Sequence, residues 1–98
     1  MHGVKRLLWW LLASSAGGFN RGRIIEELFN QPHNANDLSN VLNLDYKTIR
    51  HHLGVLEKNN LITKTGKGYG QMYFPSDLIE KNKELFGEIW NKIGKKKK

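Results

Sequence analysis

The segment over residues 34–60 constrains the fold of this chain more than any other stretch. Its apolar residues recur at helical spacing in two short runs, separated at Asn43, where asparagine tolerates the left-handed backbone of a sharp turn. Asn34 and Asp45 suit the N-cap positions of the two helices, and Asp37 places a carboxylate at the positive end of the earlier one. The sequence therefore predicts two amphipathic helices joined by a tight turn.

The second of these helices is expected over about residues 45–59, with its charges on one face. This layout is typical of a helix-turn-helix, in which one helix braces a second, the recognition helix, against the major groove of DNA. Two β-prone runs follow, residues 61–65 and 71–74, on either side of the glycine-rich and basic segment 66–70. The sequence predicts a β-hairpin here, which extends the motif to a winged helix-turn-helix.

Helices are also predicted on both sides of this motif. Apolar residues at helical spacing from Val4 to Leu12 favour a first helix. Asn20 is expected to cap a second helix that ends at Asn30, and Ser76 is expected to cap a last helix. The third helix is expected to bury Leu38, Val41 and Leu42. The predicted fold is mainly α with a small β-hairpin, in the order α-α-α-α-β-β-α.

Length and composition limit the kinds of protein this chain can be. Its 98 residues suffice for one core, and we expect a single domain over residues 1–94 followed by a basic tail over 95–98. Cysteine is absent from the sequence, which excludes disulfides and thiolate metal sites. The net charge is +7, of which residues 45–75 carry +3. The tail is either a solvated terminus or a DNA contact, but the charge that coincides with the motif indicates a nucleic-acid partner.

The run LLWWLLA over residues 7–13 is the only strongly apolar stretch. It is too short to cross a bilayer, which takes about 20 residues. Lys5 and Arg6 before it, and small residues behind it, faintly resemble a signal peptide, but cleavage would remove the first helix of a small domain. We therefore expect a soluble cytoplasmic protein without membrane contact.

The first helix is apolar almost all round. Trp9 extends the face formed by Leu8 and Leu12, whereas Trp10 points to nearly the opposite side. Either a partner subunit covers Trp10, or its ring folds onto a neighbouring helix. Apolar residues of the last helix repeat at seven, as in a short coiled-coil seam. We predict a homodimer whose interface is formed by Leu8, Trp9, Trp10, Leu12, Leu85, Phe86, Ile89, Trp90 and Ile93.

Helical geometry sorts the residues of the recognition helix by direction. With Ile49 at the centre of the buried side, His51 falls on the outer side and His52 close to the buried one. His52 is expected to pack partly inside and to bond to a backbone group. Gly54 lies on the outer face, which suits the close approach of a DNA backbone; a tolerated surface glycine is the alternative.

The outer face and the wing carry side chains that suit DNA. Arg50 can offer a bidentate fork to guanine, and Thr48 and His51 can bond to base edges or phosphates. The alternatives are an ordinary solvated helix face, and for Tyr69 an aromatic packed within the wing. The predicted DNA-binding residues are Tyr46, Lys47, Thr48, Arg50, His51, Lys58, Lys64, Lys67 and Tyr69.

Catalysis and metal binding have little support in the sequence. His51 and His52 are adjacent on a helix, so their side chains diverge by about 100° and cannot easily share an ion. There is no phosphate-binding glycine loop and no plausible nucleophile with a base, and Glu26 and Glu27 are an ordinary helix-surface pair. We expect no enzymatic activity, no cofactor and no metal.

Beyond these patterns, the sequence resembles the ArsR-like winged helix-turn-helix transcription regulators, particularly small archaeal members. The resemblance rests on residues 21–28, 34–38, 44–53, 55–57, 61–62 and 69–74. It implies a homodimer on a roughly palindromic operator, with the recognition helices about one turn of DNA apart. Metal-sensing members use cysteine ligands, or histidine and acidic ligands in the last helix; this sequence has no cysteine, and no histidine from Ser76 onward, so that role is not expected.

We predict a sequence-specific regulator that binds double-stranded DNA. The alternative from another class is a winged-helix module that binds proteins and has lost DNA contact. RNA binding is less favoured, because the sequence offers no aromatic platform on which bases would stack.

Overall fold

The computed structural model describes residues 2–97, without the side chains of His2, Tyr69 and residues 95–97. Its helices are α1 (His2–Leu12), α2 (Gly18–Asn30), α3 (Ala35–Leu42), α4 (Tyr46–Lys58), α5 (Asp77–Lys81) and α6 (Lys83–Lys97). Two antiparallel strands, β1 (Ile62–Thr65) and β2 (Met72–Pro75), lie between α4 and α5. This arrangement confirms the predicted mainly helical fold with one hairpin. None of the described helices combines the length and apolar character needed to span a bilayer.

The helix-turn-helix consists of α3, a turn at Asn43 and α4. The side chain of Asn34 accepts a hydrogen bond from the backbone N–H of Asp37 at 2.7 Å, and Asp45 accepts one from Thr48 at 3.3 Å. Asn43 adopts the left-handed conformation, with φ of 55°. Both predicted caps and the predicted turn are therefore confirmed.

The prediction for the buried side of α3 was wrong at Val41. Leu38 and Leu42 are buried, together with Ala35, whereas 54% of Val41 is exposed. In a helix of eight residues, Ala35, Leu38 and Leu42 form one narrow stripe, and Val41 falls about 60° to the other side of Leu38. No neighbouring element among the described residues covers that direction.

The start of α2 also differs from the prediction. Asn20 lies inside the helix, where its Oδ1 accepts a hydrogen bond from Arg23 at 3.1 Å. The helix begins at Gly18, and the residue at its N-cap is Gly17, with φ of 80°. Glycine adopts this left-handed conformation without steric cost, so Gly17 can close the turn over residues 13–17 that leads from α1 into α2.

The hairpin pairs Ile62 with Pro75 and Thr65 with Met72. At its tip, Gly66 has φ of 88°, and a Cβ there would lie 2.6 Å from the carbonyl oxygen of Gly70. The tip includes a 3-10 turn over Gly68–Gly70 that the sequence did not predict.

The last predicted helix is divided into two. Ser76 caps α5 as predicted, because its Oγ accepts a hydrogen bond from the backbone N–H of Ile79 at 3.2 Å. Asn82 then interrupts the helical run, and its side chain donates to the carbonyl of Leu78 at 2.8 Å. The predicted seven-residue repeat therefore crosses a break.

Much of the predicted dimer interface is already buried within one chain. Leu8, Leu12, Phe86, Ile89 and Ile93 all belong to the hydrophobic core of the single chain. They pack there because α1 and α6 lie against each other and against α2. These five side chains retain little surface for a partner.

The remaining predicted interface residues keep accessible surface. Trp9 is 39% exposed and Trp10 is 55% exposed, so Trp10 does not fold onto a neighbouring helix within the chain. Leu85 and Trp90 are partly exposed. The Trp90 ring stacks on Phe19 with centroids 5.3 Å apart and lies where a Cβ on Gly22 would stand.

Candidate nucleic-acid interface

The helix α4 presents one apolar and one basic side. Ile49, Leu53 and Leu56 are fully buried and hold the helix against the core. Of the predicted contact residues on α4, Thr48 is partly buried. The others are exposed: Tyr46, Lys47, Arg50, His51 and Lys58. The predicted division of α4 into a buried and an outer side is therefore what the structure has.

Arg50 has a partner that the sequence did not reveal. Its Nη1 donates a hydrogen bond to the hydroxyl oxygen of Tyr73 at 2.9 Å. Tyr73 lies on β2, and only 2% of it is exposed. The recognition helix and the wing are thus connected by a side-chain hydrogen bond next to the surface predicted to meet DNA.

A cleft of about 500 Å³ opens between the beginning of α3, the beginning of α4 and the wing. Among the residues that line it are Asn34, Asn36, Tyr46, Arg50, Gln71 and Tyr73. No acidic side chain is among those lining residues, within the part of the chain that the structure describes. The cleft therefore offers hydrogen-bond donors and one positive charge to a group that enters from outside.

The two wing lysines have different surroundings. The Nζ of Lys64 lies 3.4 Å from Oε2 of Glu57 on α4, and both side chains are partly exposed. This ion pair offsets part of the charge that Lys64 would offer to DNA, although an exposed pair of this kind is weak. Lys67 is exposed at the tip between Gly66 and Gly68. The side chain of Tyr69, also predicted to contact DNA, lies outside the described part of the chain.

The two adjacent histidines have opposite environments, as predicted. His51 is exposed, whereas only 5% of His52 is exposed. The partner of His52 was predicted wrongly: Nη1 of Arg21, rather than a backbone group, lies 3.3 Å from Nδ1 of His52. Because arginine can only donate, this Nδ1 accepts and carries no proton. Burial first, and then the charges of Arg21 and His51, lower the pKa of His52 to about 4.

Arg21 is a buried cation behind the recognition helix. Its guanidinium also donates to the carbonyls of Leu11 and Ala16, each at 3.1 Å, and to Oγ of Ser15 at 2.6 Å. Burial lowers its pKa. Arg21 therefore joins α4 to the end of α1 and to the turn before α2, a role that no sequence pattern had indicated.

A second buried histidine supports the base of the wing. Nε2 of His33 donates to the Glu27 carboxylate at 2.8 Å, and the carbonyl of His33 accepts from the backbone N–H of Tyr73 at 2.8 Å.

Among the described residues, no group of three or more potential metal ligands is placed to hold an ion.

The comparison with known families concerns the region that holds this surface. Residues 20–64, somewhat less than half of the chain, match the sequence model of the family described as "Bacterial regulatory protein, arsR family". This segment is an ArsR-like helix-turn-helix. It spans most of α2, all of α3 and α4, and most of β1, and so includes the whole predicted recognition helix.

Solved structures with the same fold include two HlyU proteins. The transcriptional regulator HlyU from Vibrio vulnificus CMCP6 has a TM-score of 0.65 at 19% identity, over 90% of this chain and 83% of that one. Reduced HlyU from Vibrio cholerae N16961 has a TM-score of 0.65 at 18% identity, over 90% of this chain and 84% of that one. These likenesses show that the winged helix-turn-helix fold is shared. No curated protein matches the sequence.

Proposed function

We propose that this chain is a sequence-specific regulator of transcription that binds double-stranded DNA as a cytoplasmic homodimer. The observation that carries the proposal is the coincidence of the ArsR-like segment with the exposed basic side of α4. In the proposed complex, α4 lies in the major groove and residues 66–70 of the wing meet the flanking backbone or the minor groove. The resemblance to archaeal members stays a prediction, because the matched family is described as bacterial.

The side chains of α4 suit two kinds of DNA contact. Arg50 and His51 carry donors that fit base edges, and Thr48 in the first turn suits a base edge or a phosphate. The ammonium groups of Lys47 and Lys58 suit phosphates, and Tyr46 borders the cleft where the backbone would enter. In the wing, the exposed ammonium group of Lys67 would bind a phosphate.

The proposed dimer places two copies side by side through α1 and the accessible part of α6. The main support for this dimer is the exposure of Trp9 and Trp10, because large exposed aromatic side chains on one helix are typical of a protein interface. Leu85 and Trp90 extend this surface. Two recognition helices related by a twofold axis would read half-sites about 34 Å apart.

Salt dependence of DNA binding separates this function from that of a protein-binding module. Binding of fluorescent duplex DNA is measured by anisotropy at a series of KCl concentrations. The proposed regulator releases counterions, so its affinity falls steeply as salt rises. A module that binds only proteins would show no affinity for duplex DNA that falls with the KCl concentration.

A pair of lysine substitutions makes this experiment specific for the wing. Lys67→Ala should weaken binding to all duplexes alike and reduce the salt slope by about one. Lys81→Ala is the matched control, because it removes the same exposed charge from α5, which lies outside the proposed DNA and dimer surfaces. Equal slopes for Lys67→Ala and the unmodified protein would contradict the assigned wing contact.

A further inference from the structure

We infer that Tyr73 is a positioning residue for DNA recognition, which fixes the guanidinium of Arg50 in the orientation that reads a base. The inference rests on the proposed function, because it assumes that the α4 face meets DNA. It assigns a role to a buried wing residue that would touch no base itself.

The hydroxyl of Tyr73 is held rigidly. The Tyr73 ring is almost completely buried, and the residue pairs with Lys64 in the hairpin. On its other edge, the Tyr73 backbone N–H bonds to the carbonyl of His33 at 2.8 Å. His33 is in turn buried and bonded to Glu27 on α2. The hydroxyl therefore stands at a fixed point relative to the body of the domain.

Arg50, in contrast, has a long side chain on the exposed side of α4. Free arginine side chains sample many rotamers, and a contact that selects one of them loses conformational entropy. The hydrogen bond at 2.9 Å to Tyr73 restricts this freedom before DNA arrives. Preorganisation of this kind strengthens the contact that follows.

The donors of Arg50 are sufficient for both partners. A guanidinium carries five N–H donors, and a bidentate contact with guanine uses two of them. The bond to Tyr73 uses one donor of Nη1. Arg50 lines the cleft together with Tyr46 and Gln71 and keeps enough donors for a base there, so the bond to Tyr73 need not break when a base is bound.

The same bond makes the orientation of Arg50 depend on the wing. Tyr73 belongs to β2 and Arg50 to α4, and the hydrogen bond joins these two elements across the cleft. The orientation of the Arg50 guanidinium is therefore set by the hydroxyl of one particular wing residue. This dependence distinguishes a positioning role from simple packing of the Tyr73 ring.

The experiment compares base preferences of designed variants. Preferred duplexes of the unmodified protein are obtained by in-vitro selection, and relative affinities are then measured with each base pair changed in turn. Tyr73→Phe keeps the buried ring and removes the hydroxyl. At the base pairs where Arg50→Ala loses its base preference, we expect the preference of Tyr73→Phe to fall about 3- to 10-fold. At all other base pairs, the preference of Tyr73→Phe should be unchanged. The double variant should be no worse than Arg50→Ala alone.

Phe74→Leu is the control for wing packing. Phe74 neighbours Tyr73 on β2 and is partly buried, so Phe74→Leu removes part of an apolar wing side chain and keeps the hydroxyl of Tyr73. This variant should weaken binding to all duplexes alike. In the DNA-free protein, side-chain NMR relaxation of the Arg50 Nε–H should report increased motion in Tyr73→Phe and not in Phe74→Leu.

Two results would overturn the positioning role. One is a Tyr73→Phe protein with unchanged base preferences or with an Arg50 side chain as restricted as before. The other is a double variant whose fold-loss of base preference equals the product of the fold-losses in Tyr73→Phe and Arg50→Ala. Residues that act independently give this result. If the unmodified protein fails to bind duplex DNA, the proposed function itself fails, and the inference fails with it.

Discussion

Arg21 on α2 and His52 on the inner side of α4 form a buried polar pair. The hydrogen bond between Nη1 of Arg21 and Nδ1 of His52 requires the neutral imidazole. Burial disfavours the charged imidazolium, and the charges of Arg21 and His51 disfavour it further, so the pKa of His52 falls to about 4. The anchoring of α4 is therefore sensitive to acid.

The stability of the protein should fall as the pH is lowered from about 6.5 to about 4. In this window the unfolded chain binds a proton at residue 52, whereas the folded chain, with its lowered pKa, does not. The unfolded state is therefore favoured by acid, and the loss in free energy of unfolding reaches about 3 kcal/mol near pH 4. Urea unfolding at a series of pH values measures it.

His52→Gln is the control for this titration. A glutamine side-chain oxygen can accept from Arg21 but does not titrate, so the variant should lose much less stability across the same window. His33 and the carboxylates are present in both proteins, and their contributions cancel in the difference. A variant whose stability follows the same pH curve as the unmodified protein would contradict the role given to His52.

At the residue scale, the sequence predicted directions better than partners. The outward direction of His51 and the inward direction of His52 follow from the regular geometry of a single helix. Arg21 is 31 residues away from His52, and Tyr73 is 23 residues away from Arg50. Such pairs are brought together only by packing between elements, which no local spacing predicts.

At the level of secondary-structure elements, Gly54 on the outer side of α4 is a residue that does not favour its own helix. Glycine in a helix interior costs about 1 kcal/mol relative to alanine. A Cβ at Gly54 would meet no other atom of the protein within 4 Å, so packing within the chain gives no reason for glycine there. Close approach of a DNA backbone is the functional explanation that we propose, and a tolerated surface glycine is the alternative.

Gly54→Ala should stabilise the protein and weaken DNA binding. The expected gain in free energy of unfolding is about 1 kcal/mol, since alanine is the better helix former. Gly87→Ala in α6 is the matched control, because a Cβ there also meets nothing within 4 Å. It should raise the melting temperature similarly without changing DNA affinity. If Gly54→Ala binds duplex DNA as tightly as the unmodified protein, Gly54 is a tolerated surface glycine.

The ends of the elements were predictable where a side chain caps its own helix. Asn34, Asp45 and Ser76 illustrate this, because each bonds to a backbone N–H three residues along the chain. The start of α2 was not predictable, since Gly17 depends on distant packing: a Cβ there would lie 2.5 Å from Cε1 of His52. The interruption at Asn82 likewise had no sequence signal that we recognised.

For the whole molecule, the proposed dimer depends on the exposed rings of α1. The apolar character of α1 was visible in the sequence, but which of its residues the chain's own core would bury was not. That partition depends on how α1, α2 and α6 pack together. It leaves Trp10, with 55% of its surface exposed, as the most accessible large side chain of the proposed interface.

Trp10→Gln should therefore shift the protein from dimer to monomer. Sedimentation equilibrium at micromolar concentration should give twice the chain mass for the unmodified protein and a lower average mass for the variant. Val41→Gln is a suitable control, since Val41 is equally exposed but lies on α3. A monomer mass for the unmodified protein, or an unchanged dimer in Trp10→Gln, would contradict this interface.

An NMR titration with duplex DNA tests recognition by α4 and the wing most directly. We predict that backbone amide shifts concentrate in the first half of α4 and in residues 64–70, while the amides of α5 stay unchanged. Saturating duplex that leaves the α4 and wing amides unshifted, or that shifts mainly α1 and α6, would contradict DNA binding through this surface.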